Sequence, residues 1–125
     1  LKQLTPKQFE QVIANYYEKL HFKVVVSGGA YDQGVDVIAR RISDVGEEYL
    51  IVQCKHYPYN IIGPNIVREL IGTRESHSEA TRAVLVTSGK FSEEAIRLAG
   101  KFNIILIDGN YLITLLNRYQ VQFSF

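Results

Sequence analysis

At 125 residues, 46% of them hydrophobic, the chain is long enough for one buried core and too apolar for a disordered segment. A net charge of +1 is too small to mark a polybasic nucleic-acid tail, so composition neither points to DNA nor excludes it. One cysteine rules out an internal disulfide framework, the separated histidines His21, His56 and His77 lack zinc-motif spacing, and no apolar run reaches the roughly 18 residues of a membrane-spanning helix.

The N-terminus carries no basic-then-apolar signal pattern, so a soluble cytoplasmic protein without membrane contact is expected. The chain starts at Leu1 and contains no methionine, which suggests one domain (1-125) excerpted from a longer protein. Thr5-Pro6-Lys7-Gln8 has the form of a capping box with proline in the first turn. Phe9, Val12, Ile13, Tyr16, Tyr17 and Leu20 then repeat at helical spacing. Glu10 sits at the border of that apolar face. Its ordinary reading is a solvated carboxylate favoured by the helix dipole.

Phe22 to Val26 reads as a strand and Ser27 to Gly34 as a glycine-rich loop, which has neither the Gly-Lys-Ser/Thr ending of a phosphate loop nor dinucleotide-binding spacing. Val35 to Ile42 predicts a second strand, Ser43 to Glu48 a turn, and Tyr49 to Lys55 a third strand paired antiparallel to the second. After Gly63-Pro64, Asn65 to about Glu75 predicts a helix with Ile66, Leu70 and Ile71 facing the core. Ala83 to Thr87 follows as a strand bounded by Ser88-Gly89. Ser92 caps the next helix, with Phe91 and Ile96 spaced as a hydrophobic staple and Gly100 as its stop. Ile104 to Ile107 is a fifth strand ended by Asp108-Gly109, and Tyr111 to Leu116 begins a last helix. The order α-β-β-β-α-β-α-β-α predicts an α/β domain, a mixed central sheet of about five strands flanked by helices.

Within this frame the third strand, "YLIVQCKHY", is unusual. Period-two alternation sends Gln53 and Lys55 to one face and Val52 and Cys54 to the other. If the hairpin pairs Asp36 with Gln53 or with Lys55, all three polar side chains share that face; a one-residue slip would separate them. Together they suit a hard cation, which takes oxygen ligands, keeps several waters and needs only one or two carboxylates. Asp36 and the Gln53 amide oxygen are candidate Mg²⁺ ligands, and Glu10 can add charge if its helix crosses the mouth of the sheet. Lys55 is suited to positioning a water or stabilising charge on phosphorus. A cross-strand ion pair between Asp36 and Lys55, with Gln53 a satisfied neighbour, explains the same residues, and spacing alone leaves both readings open. Cys54 reads as a core residue. His56 reads as part of a solvated strand end, and His21 and His77 as surface residues.

"GVDVIAR" followed by "IVQCKHY", with "VRELIG", "AVLVTSGKFSEEA" and "LIDGNYL" downstream, resembles the Mrr-type restriction endonuclease domain, a branch of the PD-(D/E)xK nuclease superfamily. The resemblance runs from about Leu4 to Leu116. It implies a restriction-endonuclease-like core and a Mg²⁺-dependent endonuclease that hydrolyses DNA phosphodiester bonds, with Mn²⁺ as a substitute metal. Asp36 matches the family's acidic residue. Gln53 and Lys55 match its Gln-x-Lys signature, where other branches carry Glu-x-Lys or Asp-x-Lys, and Glu10 matches the glutamate of its first helix. Val35 replaces the usual proline before the aspartate.

Arg68, Thr87, Ser88 and Lys90 offer donors to a DNA backbone. Their alternatives are a helix-surface salt bridge of Arg68 with Glu69 or Glu75, and a strand-to-helix turn at Thr87, Ser88 and Lys90. Two rival functions share the fold: a non-catalytic nucleic-acid or protein interaction module, and a structure-selective nuclease of the Holliday-junction resolvase type. Double-strand cutting would call for a homodimer, and sequence selection for an additional DNA-recognition domain.

Overall fold

The computed structural model describes residues 1–27 and 34–125, so most of the glycine-rich loop lies outside the described residues. Helix α1 (Pro6–Lys19) starts as its sequence predicts. The Gln8 N–H donates to the Thr5 hydroxyl and the Thr5 N–H to the Gln8 side-chain oxygen, so two donors that a helix start leaves free are satisfied reciprocally. Its buried face is Phe9, Val12, Ile13, Tyr16 and Tyr17. Glu10 lies beyond the first turn of α1, which holds no acidic residue, so the helix dipole does not account for it.

Three antiparallel strands follow: β1 (Lys23–Val26), β2 (Val37–Ser43) and β3 (Gly46–Lys55). The hairpin is tighter than the predicted Ser43 to Glu48 turn. Ser43 pairs with Gly46, leaving Asp44 and Val45 between them, and Gly46 has φ +121°, a conformation that glycine adopts without a side-chain clash. Strand β3 therefore starts at Gly46 rather than Tyr49. Beyond a short β4 (Ile61–Ile62) come α2 (Pro64–Ser76), β5 (Arg82–Thr87), β6 (Lys90–Phe91), α3 (Glu93–Lys101), β7 (Ile104–Ile107) and α4 (Gly109–Arg118). The main sheet has the order β1-β2-β3-β5-β7, with β3, β5 and β7 parallel.

Both parallel connections step the same way across the sheet. Right-handed crossovers therefore put α2 and α3 on one face, and α1 and α4 cover the other. Two cores result. Phe9, Val12, Val37, Val52, Val84 and Leu112 lie beneath α1 and α4, and Val35, Ile51, Val67, Leu70, Leu85 and Ala95 beneath α2 and α3. Each large, fully buried side chain in these layers contributes about 2 kcal/mol.

Several local expectations change. Helix α2 buries Val67, Leu70 and Thr73, while Ile66 and Ile71 are only partly covered. Ile96, expected to pack on Phe91, is 56% exposed. Asp108 follows the end of β7 at Ile107, as expected, and also caps α4, accepting from the Tyr111 N–H at 2.8 Å. The parallel β4–β6 pair is too short to leave a periodic signal. Among the described residues, no helix is long and apolar enough to cross a membrane.

Candidate active site

The β2–β3 register pairs Val37 with Val52 and so carries Asp36, just before β2, to a place opposite Gln53. The Asp36 N–H donates to the Val52 carbonyl at 2.9 Å, and the Cys54 N–H donates to Asp36 Oδ2 at 2.7 Å. The carboxylate is thus held by the backbone of the strand that carries Gln53 and Lys55. Of the two registers that put the polar groups on one face, the chain uses the one pairing Asp36 with Gln53. Among the described residues Asp36 and Lys55 form no ion pair; the two salt bridges are Arg40–Glu47 at 3.8 Å and Arg41–Glu48 at 2.9 Å, farther along the same hairpin. The ion-pair account of the cluster therefore does not describe this arrangement.

Asp36 and Gln53 are 8% and 5% exposed. Burial pushes the Asp36 pKa upward, and this outweighs the opposing effects of the Cys54 N–H and the Lys55 charge. Glu10, half-buried on α1, is pushed upward by burial and then by the Asp36 charge, with Lys7 opposing. The Cys54 thiol is raised well above its usual range by burial, then by Asp36 and Glu10. Cys54 packs against the core beneath α1, as expected, and works as a spacer rather than a nucleophile. Helix α1 thus brings Glu10 within electrostatic reach of Asp36.

Gln53 Oε1 is buried and finds no hydrogen-bond partner among the described residues. Leaving such an acceptor unsatisfied costs about 1–3 kcal/mol. Gly34, at φ +86°, closes over the same side chain: a Cβ there would lie 2.6 Å from Gln53 Nε2. The glycine supplies both a positive φ and the space for the amide. A buried amide oxygen seeking a partner, beside two carboxylates that repel each other, fits a hard divalent cation. Among the described residues no three His, Cys, Asp or Glu side chains form a metal cage, so the fit is to an ion that keeps waters rather than to structural zinc.

Lys55 is half-buried, pairs in register with Thr87 and holds its ammonium 5.9 Å from the centre of the Tyr57 ring. The cluster lies at the carboxyl ends of the parallel strands, where open α/β sheets commonly place their ligands. The downstream candidates separate. Thr87 is 0% exposed and its hydroxyl accepts from the Gly89 N–H at 3.1 Å, so it presents no donor at the surface. The Ser88 hydroxyl is 2.8 Å from His56 Nδ1. Lys90 is exposed on β6, and Arg68 is exposed on α2, where it donates to Asn65 Oδ1 at 2.7 Å rather than pairing with a glutamate. The residue that sequence reading misplaced is His56. It is half-buried, with both ring nitrogens in use and its ring 4.8 Å from that of Phe9. Extending the β3 alternation by one step, from Val52 through Cys54, already sends His56 towards α1.

Comparison with known proteins bears on the fold and the family. The chain is 33% identical over 102 residues to uncharacterized protein y4cE of Sinorhizobium fredii, covering 74% of this chain and 26% of that one. Among solved structures it resembles the MspJI restriction endonuclease in complex with a 27-mer oligonucleotide (TM-score 0.66, 20% identity, 91% of this chain and 28% of that one). It also resembles the DNA modification-dependent restriction endonuclease AspBHI (TM-score 0.67, 21% identity, 94% and 32%). These likenesses establish a restriction-endonuclease-like fold, and the chain spans about a quarter of the curated relative it matches. The Mrr catalytic-domain model, described as restriction endonuclease, matches residues 1–116, and the chain belongs to that family.

Proposed function

We propose that this domain is a Mg²⁺-dependent endonuclease that hydrolyses DNA phosphodiester bonds, with Asp36, Gln53 and Glu10 as metal ligands and Lys55 as the catalytic ammonium. The observation that carries the reading is Gln53 Oε1, buried beside Asp36 and beneath Gly34 with no hydrogen-bond partner among the described residues. Membership of the restriction endonuclease family supports it independently.

Bound Mg²⁺ would supply Lewis-acid charge at the phosphate oxygens. Asp36, anchored through the Cys54 N–H, holds its charge at a fixed point on the sheet edge. Glu10 adds the second negative charge from α1, and Gln53 contributes a neutral oxygen. Lys55 orients the attacking water and stabilises the charge that grows on the phosphate as water forms one P–O bond and one ester P–O bond breaks. Arg68 and Lys90 are exposed cations suited to flanking phosphates. Mn²⁺, another hard cation that accepts oxygen ligands, would substitute for Mg²⁺.

The chain covers only 28% of the MspJI chain and 32% of the AspBHI chain. That proportion supports a separate recognition domain in the whole protein, and two catalytic copies are required to cut both strands. The test is cleavage of linear duplex, methylated duplex and four-way junction with and without Mg²⁺, using wild type and Asp36→Ala. The proposal predicts metal-dependent cutting of a duplex, with activity and Mg²⁺ binding lost together in the variant. Binding without cleavage of every substrate would replace it with a non-catalytic interaction module. Cutting confined to the junction would replace it with a structure-selective nuclease.

A further inference from the structure

We infer that His56 is a positioning residue that seats helix α1, and with it Glu10, against the strand carrying Gln53 and Lys55. The inference rests on the metal-binding role proposed for Glu10. His56 Nε2 lies 2.7 Å from the Leu4 carbonyl, which can only accept, so Nε2 carries the proton and donates. In the neutral ring Nδ1 is then an acceptor and takes the Ser88 hydroxyl at 2.8 Å. The Leu4 carbonyl sets the tautomer, and the Ser88 hydroxyl, which can donate or accept, is compatible with it.

The contacts bracket the start of α1. Leu4 immediately precedes the Thr5 cap, and Phe9, 0% exposed, stacks on the imidazole with the ring planes 15° apart. One ring thus grips the backbone before the helix and a core side chain in the helix, and Glu10 is the next residue. On the other side His56 follows Lys55 directly. Ser88, its second partner, donates its backbone N–H to the Lys55 carbonyl at 3.4 Å. The residues meeting at His56 therefore come from α1, which carries Glu10, from the end of β3, which carries Gln53 and Lys55 and whose Cys54 N–H holds Asp36, and from the turn after β5. A solvated strand end requires none of these contacts.

A residue that acts through Glu10 must lose its influence when Glu10 can no longer bind metal, whereas a residue that only stabilises the fold must not. The test is a double-mutant cycle read by Mg²⁺ titration calorimetry and thermal melting, on wild type, His56→Ala, Glu10→Gln and the double variant, with Asp36→Asn alongside. Groups that orient metal ligands typically change affinity 10- to 100-fold. The expected result is about a tenfold loss of Mg²⁺ affinity in His56→Ala, absent in the Glu10→Gln background, with partial recovery in His56→Gln, which keeps a donor for Leu4. Should His56→Ala unfold, His56→Phe keeps the ring on Phe9, removes both hydrogen bonds and faces the same requirement. Unchanged affinity in the single variant, an equal loss in both backgrounds, or no effect of Glu10→Gln would overturn the inference. Unchanged Mg²⁺ binding in Asp36→Asn would instead overturn the proposed metal site.

Discussion

The two ends of one hairpin treat polar side chains in opposite ways. Towards the turn, Arg40 and Arg41 on β2 meet Glu47 and Glu48 on β3, each of these four charges has a partner, and water reaches all four. At the other end the same register delivers Asp36, Gln53 and Lys55. Here, among the described residues, the buried carboxylate has no ion pair, the amide oxygen has no hydrogen-bond partner, and the ammonium faces the Tyr57 ring rather than a carboxylate. Paired, solvated charges are what a sheet edge needs for solubility. Buried groups left unpaired oppose folding, and they persist where a ligand completes them. Under the proposed function, the hairpin is one scaffold with a structural end and a functional end.

The sharpest way to break this comparison is to remove one cation from each end. Lys55→Ala is expected to reduce DNA cleavage at least about 100-fold with little change in melting temperature. Arg40→Ala should leave cleavage unchanged and cost under about 1 kcal/mol, because exposed pairs contribute little. Equal effects would erase the distinction. A smaller but more diagnostic effect is expected from Gln53→Leu. It removes an acceptor that has no partner among the described residues, so the metal-free protein should melt a few degrees higher, while calorimetry should detect no Mg²⁺ binding. Gly34→Ala should weaken Mg²⁺ binding by displacing the Gln53 amide, and it also places a side chain at φ +86°.

The smallest effect is a pH dependence. Burial raises the folded-state pKa of Asp36, and burial with the Asp36 charge raises that of Glu10. As pH rises, the unfolded chain releases these protons first. Stability should therefore fall across the window from the ordinary carboxylate range, about 4, up to the raised folded values. Asp36→Asn keeps an acceptor for the Cys54 N–H and removes the charge. Its melting temperature should exceed that of wild type by a few degrees at neutral pH, with the gap closing in acid. Added Mg²⁺ should stabilise wild type and not this variant. A gap that widens in acid would contradict the sign.

Much of the site was legible in the sequence because it depends on alternation and register. Period two sends Gln53 and Lys55 to one face, and the tight turn then brings Asp36 opposite Gln53. What spacing left open was the choice between an ion pair and a site. That choice depends on burial, and the chain's burial of Asp36 without pairing it to Lys55 became visible only in three dimensions. The layers were readable from apolar periodicity, whereas β4 and β6 are too short for any period to register. His56 was misread because its contacts are non-local. Leu4 and Ser88, its hydrogen-bond partners, are far from it in the chain and close only once α1 lies on the sheet.

The central claim is that the functional end of the hairpin is a metal-dependent nuclease site. The most direct measurement is DNA cleavage by wild type and Lys55→Ala, each with Mg²⁺ and with a chelator. The account predicts cutting only by wild type with Mg²⁺, while the variant retains the fold and binds the metal. Undiminished cutting by Lys55→Ala, or wild-type cutting that survives the chelator, would contradict it.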